Sequence, residues 1–136
     1  MFLKFEFDLS WYGATMVQNM PLGWPEDVQP PGSEGWEATA VTWLLDLVPE
    51  YRQYDMVCRH PVILASIARH LIHGSVVGAR EGYRTVRVEL AEHTPPHALD
   101  VALRAYRDEG RRLAATERAV DLVERALRGG PYTRLR

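Results

Sequence analysis

The chain has 136 residues, which is enough for one compact domain and too few for two well-formed cores. Hydrophobic residues make up 46% and charged residues 25%, so wholesale disorder and collagen-like or low-complexity chains are excluded. The formal net charge of −2 conceals an asymmetry, because residues 1–57 carry a net −7 and residues 58–136 a net +5. The sequence thus predicts a single domain, 1–136, whose halves either neutralise each other on folding or leave a basic surface for an acidic partner.

The N-terminal segment, residues 1–20, has the pattern of a short β-strand or hairpin. Leu3, Phe5 and Phe7 alternate with charged residues, which is the period-two pattern of a half-buried strand. These three residues mark a candidate edge that could pair with a strand of a partner protein.

No apolar run of membrane-spanning length stands out in the sequence, and the charged N-terminus does not resemble a signal peptide. The single cysteine, Cys58, excludes an intrachain disulfide and is compatible with a reducing compartment. We therefore expect a cytoplasmic protein that does not enter a membrane.

Residues 21–35 are rich in proline and glycine and predict a loop. A shorter helix is expected after it, with Ser33 as its cap and Pro49 as its stop. Its apolar residues recur at helical spacing: Trp36, Ala40, Trp43, Leu44 and Leu47.

A first long helix is predicted from Pro61 to about Glu92, because small and apolar residues recur every three or four positions: Ala65, Ala68, Ile72, Val76, Ala79, Tyr83, Val86 and Leu90. Gly74, Gly78 and Gly82 either break this helix or let another backbone approach it closely. Thr85 to Leu90 also alternates, so an α+β fold with a strand near 84–91 is the alternative.

A second long helix is predicted from Pro95 to Arg128, with Thr94 as its cap. Large residues recur every seven positions, and alanines occupy an adjacent ridge: Leu99, Tyr106, Leu113, Val120 and Leu127, beside Ala98, Ala105, Ala119 and Ala126. Such a repeat favours close helix packing. The predicted fold is mainly α: a long antiparallel helical hairpin plus a shorter helix within residues 36–128, followed by a basic tail, 129–136.

The candidate binding residues are arginines spaced along the second long helix. Arg104, Arg111, Arg118 and Arg125 recur every seven residues, and Arg107 lies one turn from two of them. This arginine stripe could contact phosphates or carboxylates, or it could be a solvated face paired with the interleaved acidic residues.

The sequence predicts no catalytic residues, no metal site and no cofactor. His70 and His73 lie three residues apart, but no recognised zinc pattern accompanies them. Cys58 lies beside Arg59 and His60, yet adjacency in sequence does not create a nucleophile and its base.

Three stretches resemble a family of short, uncharacterised helical proteins from actinobacteria: Gly35-Trp36-Glu37 with Trp43 to Leu47, then Arg59-His60-Pro61, then Arg118 to Glu124. The resemblance covers roughly residues 35–129. It implies an arginine-rich bacterial cytoplasmic protein and no particular mechanism.

The leading functional expectation is a non-enzymatic protein that interacts with a protein partner or with itself. The first alternative is a nucleic-acid-binding module that uses the arginine stripe, and the second is a small enzyme that uses Cys58 and the histidines.

Overall fold

A computed structural model describes residues 20–129. This part of the chain is mainly helical and contains no strand: α1 is Trp36–Leu47, a 3-10 turn is Pro49–Gln53, α2 is Asp55–Arg59, α3 is Pro61–Leu90 and α4 is Pro96–Leu127. The predicted strand edge of Leu3, Phe5 and Phe7 lies outside the described residues, as do residues 130–136 of the predicted basic tail.

The two long helices form the predicted helical hairpin. α3 has 30 residues and α4 has 32, so each is roughly 45 Å or more in length. Ile72, Val76 and Ala79 of α3 pack with Leu113 of α4 to form the core of the middle section. Nearer the turn, Val86 and Leu99 are also buried. The seven-residue repeat therefore marks the packed face of α4.

α3 is a continuous helix through Leu90, so a strand near 84–91 is wrong. It is also unbroken at its three glycines. A Cβ atom on Gly74 or Gly78 would meet no described atom within 4 Å, whereas one on Gly82 would lie 2.3 Å from Cε1 of Tyr106. Only Gly82 is therefore in close contact with α4, and what approaches it is a tyrosine ring instead of a backbone.

Thr94 hydrogen-bonds to the C-terminal end of α3 and does not cap α4. Its hydroxyl donates a hydrogen bond to the carbonyl oxygen of Leu90, with the two oxygens 3.0 Å apart. Pro95 occupies the position before α4 and provides no side-chain cap. The prediction of a Thr94 cap was wrong because the hydroxyl satisfies an unpaired carbonyl of the preceding helix instead.

The described part of the N-terminal half, from residue 20 onward, covers only one end of the hairpin. Trp24 and Trp36 lie with their ring centroids 6.0 Å apart, and both are buried against the ends of α3 and α4. The rest of this core cluster includes Ala40 and Leu44 of α1, Leu64, Ala65 and Ala68 of α3, and Val120, Val123 and Ala126 of α4. The far half of the hairpin has no such cover from the described residues.

The loop before α1 is a series of turns that begin at prolines. Backbone N–H groups of Trp24, Val28 and Ser33 donate to the carbonyls three residues earlier, at Pro21, Pro25 and Pro30. The Ser33 hydroxyl donates to the same Pro30 carbonyl, so Ser33 does not cap α1. Gly35 takes the position before α1 with φ of 77°, a conformation that L side chains rarely adopt.

One helix in the described part of the chain, α3, is long and apolar enough to cross a membrane by length and composition. The helix packed along it argues against such a span, because α4 carries charged residues in nearly every turn. Arg69, inside the apolar stretch of α3, is also paired to Glu124 of α4.

The close contact at Gly82 generates a stability prediction. Gly82→Ala should lower the free energy of unfolding by up to about 1 kcal/mol, because displacing the partly exposed Tyr106 ring slightly outweighs the gain in helix propensity. Gly110→Ala is the matched control, since its Cβ would lie 4.0 Å from that of Ala79, an ordinary contact. It should be stabilising by up to about 1 kcal/mol. Urea unfolding followed by circular dichroism measures both.

The same substitution in a Tyr106→Ala background separates crowding from other effects. There Gly82→Ala should become stabilising, as Gly110→Ala is. If Gly82→Ala stabilises the protein as much with Tyr106 present as in the Tyr106→Ala background, the close packing of Tyr106 against Gly82 is contradicted.

Candidate functional site

The arginine stripe is largely free of ion pairs. Arg104, Arg107, Arg111 and Arg118 are exposed and make no ion pair with a described residue, whereas Arg125 pairs with Asp121 at 2.7 Å. Two of the acidic residues that interleave with the stripe have partners outside it, since Asp100 pairs with Arg87 of α3 and Glu124 with Arg69 and Arg128. Asp108 makes no ion pair with a described residue. The description of the stripe as a face of paired charges therefore fits Arg125 and not the other four.

Two of these arginines line an open groove between α3 and α4. The groove has a volume of about 500 Å³. We call it the arginine groove and define it by four arginines and two tyrosines: Arg80, Tyr83 and Arg84 from α3, and Tyr106, Arg107 and Arg111 from α4. Its remaining lining residues are Ala79, Gly110 and Ala114, which are small.

Helix geometry explains why these residues converge. Arg80 and Arg84 are one turn apart on α3, and Arg107 and Arg111 are one turn apart on α4, so each pair projects from one side of its helix. Arg84 is paired with Glu81 at 2.5 Å, while Arg80, Arg107 and Arg111 have no acidic partner among residues 20–129. The groove thus gathers positive charge with little local neutralisation.

The histidines of α3 lie in a different and mixed-charge pocket. His73 Nδ1 is 2.6 Å from Glu117 Oε2, and His70 Nδ1 is 2.8 Å from the Ser66 carbonyl oxygen. Arg118 and Asp121 line the same pocket, which has a volume of about 540 Å³. This pocket is lined by both positive and negative groups, whereas the lining of the arginine groove contains no carboxylate.

Cys58 lies apart from these histidines. It is partly buried, and its thiol donates a hydrogen bond to the Tyr51 carbonyl oxygen over 3.4 Å. Within residues 20–129 no group of three histidine, cysteine or carboxylate side chains is arranged to hold a metal ion.

A buried carboxylate ties the two long helices together. Glu124 is 4% exposed and accepts hydrogen bonds from Arg69 of α3 at 2.5 Å and from Arg128 at 2.7 Å. Burial acts to raise the pKa of Glu124, but the two guanidinium groups outweigh it and hold the pKa below its ordinary value. The same contact with Glu124 raises the pKa of Arg69.

The outward side of α3 carries a second apolar surface. We call it the α3 outer face and define it by six residues: Ile63, Ile67, Leu71, Gly74, Val77 and Gly78. Ile63, Leu71 and Val77 are each nearly half exposed, at 46%, 46% and 49%. α3 also buries the opposite side, which includes Leu64, Ala68 and Val76, against its neighbours in the fold. A helix with one neighbouring layer needs only one apolar side, so the contacts among residues 20–129 do not explain the second.

Comparison with family models, with curated proteins and with solved structures finds no match to this chain. The resemblance to short actinobacterial helical proteins stays a prediction.

Sequence reasoning found the α4 half of the arginine groove and missed the α3 half. Arg80 and Arg84 at a spacing of four, with Tyr83 between them, were the available signal. What the sequence did not contain was the register of the hairpin, which decides that Tyr83 and Arg84 lie across from Tyr106 and Arg107. The α3 outer face was missed because its glycines were interpreted either as a helix break or as a site where another backbone comes close.

The Glu124 contacts predict an acid-dependent stability. A carboxylate whose folded pKa is depressed contributes stability above the unfolded pKa, near 4.5, and loses it as the pH falls through the lower folded pKa. Glu124→Gln should therefore lower the free energy of unfolding by about 2 kcal/mol at pH 7, with the difference from wild type shrinking as the pH falls below about 5.

Glu109→Gln is the matched control on the same helix. Glu109 pairs with Arg112 at the surface, where solvent screens the interaction, so this substitution should change stability much less. Urea titrations between pH 3 and 7 measure both variants. A Glu124→Gln effect that is constant across this range would contradict the assigned role of the carboxylate.

Proposed function

We propose that this protein is a non-enzymatic interaction protein of the cytoplasm whose α3 outer face binds a second copy of the chain. The observation that carries the proposal is the order of large and small residues along this face. Ile63, Ile67 and Leu71 occupy its N-terminal part, while Gly74 and Gly78 occupy its C-terminal part.

This order is self-complementary in an antiparallel pair. If the two-fold axis passes beside His70 and Leu71, Ile67 of each copy lies opposite Gly74 of the other. Ile63 then lies opposite Gly78. Both glycines have open space around them among the described residues, so a large side chain can enter there. An interface of this kind is isologous, which is the commonest form of homodimer.

The charges along α3 are compatible with this arrangement. No charged residue belongs to the α3 outer face, so its burial leaves no unpaired ion. At the ends of the contact, Glu81 of one copy comes level with Arg59 of the other. Each is already paired within its own chain, Glu81 with Arg84 and Arg59 with Asp55, so the arrangement places no like charges of these two residues together.

Other occupants fit less well. A bilayer would have to accept α4 together with α3, and the charged turns of α4 make that unfavourable. A heterologous partner would not require large and small residues to be arranged in complementary order on the same helix. The contact is small, so we expect a dissociation constant in the micromolar range.

Sedimentation equilibrium of the full chain from about 5 to 200 µM tests the proposal, bracketing the micromolar affinity expected of a small interface. Wild type should shift from monomer to dimer, with little dependence on salt because the interface is apolar. Gly74→Leu with Gly78→Leu should remain monomeric over the whole range while keeping its helical circular dichroism. The control is Ala105→Leu with Ala115→Leu, which introduces the same leucine side chains at exposed positions of α4 and should leave the dimer intact.

Cross-linking tests the position of the axis. In a Cys58→Ser background, Leu71→Cys should oxidise to a covalent dimer because residue 71 lies beside its own copy. Val101→Cys, which is exposed on α4, should not. A wild-type chain that is monomeric at every concentration would contradict the proposal, as would binding to neutral lipid vesicles that depends on the α3 outer face.

A further inference from the structure

The arginine groove is independent of the α3 outer face and has its own chemistry. Arg80, Arg107 and Arg111 are exposed guanidinium groups without an acidic partner among the described residues. With Arg84, they surround a cleft whose lining contains no carboxylate. Planar guanidinium groups bind phosphates and carboxylates through paired hydrogen bonds, so the ligand of such a cleft is an anion.

The tyrosines narrow the choice of anion. Tyr83 is 46% exposed and Tyr106 is 37% exposed, and both belong to the same groove as the arginines. A carboxylate-rich peptide would need only the arginines. An unpaired base needs an aromatic surface to stack on, and nucleic-acid grooves for single strands combine such surfaces with positive charge along the backbone.

The floor of the groove leaves room for a flat ring. Ala79, Gly110 and Ala114 project little from the helices, so the space between the two tyrosines and the four arginines remains open. The volume of about 500 Å³ lies within the range of roughly 300–1,000 Å³ that is usual for small-ligand sites. That volume suits one or two nucleotides and is too confined for a double helix.

The overall charge also disfavours duplex binding. The chain has a net charge of −2, so it has no overall positive charge to attract double-stranded nucleic acid at long range. The unpaired positive charge is concentrated at the groove. Arg104, which is exposed and unpaired among residues 20–129, extends it along α4.

We propose that the arginine groove binds a short segment of single-stranded nucleic acid, with phosphates held by Arg80, Arg107 and Arg111 and a base stacked on Tyr83. Arg84 is the least available of the four arginines because it is paired with Glu81. The site requires only one chain, so it does not depend on dimer formation through the α3 outer face.

Fluorescence anisotropy with a labelled eight-residue oligothymidylate tests the proposal. Wild type should bind, and its affinity should fall as salt rises. Arg80→Gln with Arg111→Gln should weaken binding by about tenfold or more, and should reduce the slope of log affinity against log salt by about 1.4, since each lost phosphate contact on a single strand contributes about 0.7.

The control removes the same amount of charge away from the groove. Arg52→Gln with Arg59→Gln alters two exposed arginines that are paired with Asp46 and Asp55, and it should leave the affinity within about twofold of wild type. Tyr83→Leu should weaken binding at least about fivefold without changing the salt slope, because it removes stacking and no charge.

Two unlabelled competitors test whether the groove prefers nucleic acid to a carboxylate-rich peptide. Unlabelled oligothymidylate should displace the probe, while a polyglutamate peptide of equal charge should not. The proposal is overturned if the probe does not bind, if the groove and control variants weaken binding equally, or if polyglutamate competes as well as the oligonucleotide and Tyr83→Leu has no effect.

Discussion

The structure depends on the contact between α3 and α4, which joins two helices of about equal length with small residues on the seam. Ala65, Ala68 and Ala79 bring the helices close, and Leu113 and Val120 fill the spaces between them. The buried Glu124, held by Arg69 and Arg128, fixes the register at one end. The seam occupies one side of α3. The apolar residues on the other sides of α3 therefore contact another part of the fold, contact another molecule or are exposed to water.

The two proposed surfaces follow from this constraint in different ways. The α3 outer face lies opposite the seam and belongs to one helix. The arginine groove lies along the edge of the seam and needs both helices, since neither pair of arginines closes a cleft alone. A change in hairpin register would disrupt the groove while leaving the outer face unaltered.

The sequence predicted the fold well where one pattern dominated. The repeat from Leu99 to Leu127 identified α4, and α3 runs unbroken through Gly74 although glycine has a low helix propensity. It failed where two local interactions compete, as at Thr94, whose hydroxyl can cap a following helix or complete a preceding one. For the binding surfaces it gave the α4 arginines only, because pairing across the hairpin is a property of the register, which no single-helix pattern contains.

Within residues 20–129 the cover over the hairpin is uneven, so we expect its two ends to differ in rigidity. At one end Trp24, Trp36 and α1 complete a core of several layers, and backbone amides there should exchange with solvent only through global unfolding. At the other end, around Val86 and Leu99, two helices are held by a single layer of side chains. The arginine groove lies towards the less covered end, so a ligand that joins Arg80 of α3 to Arg107 of α4 would link the two helices where few other contacts hold them together.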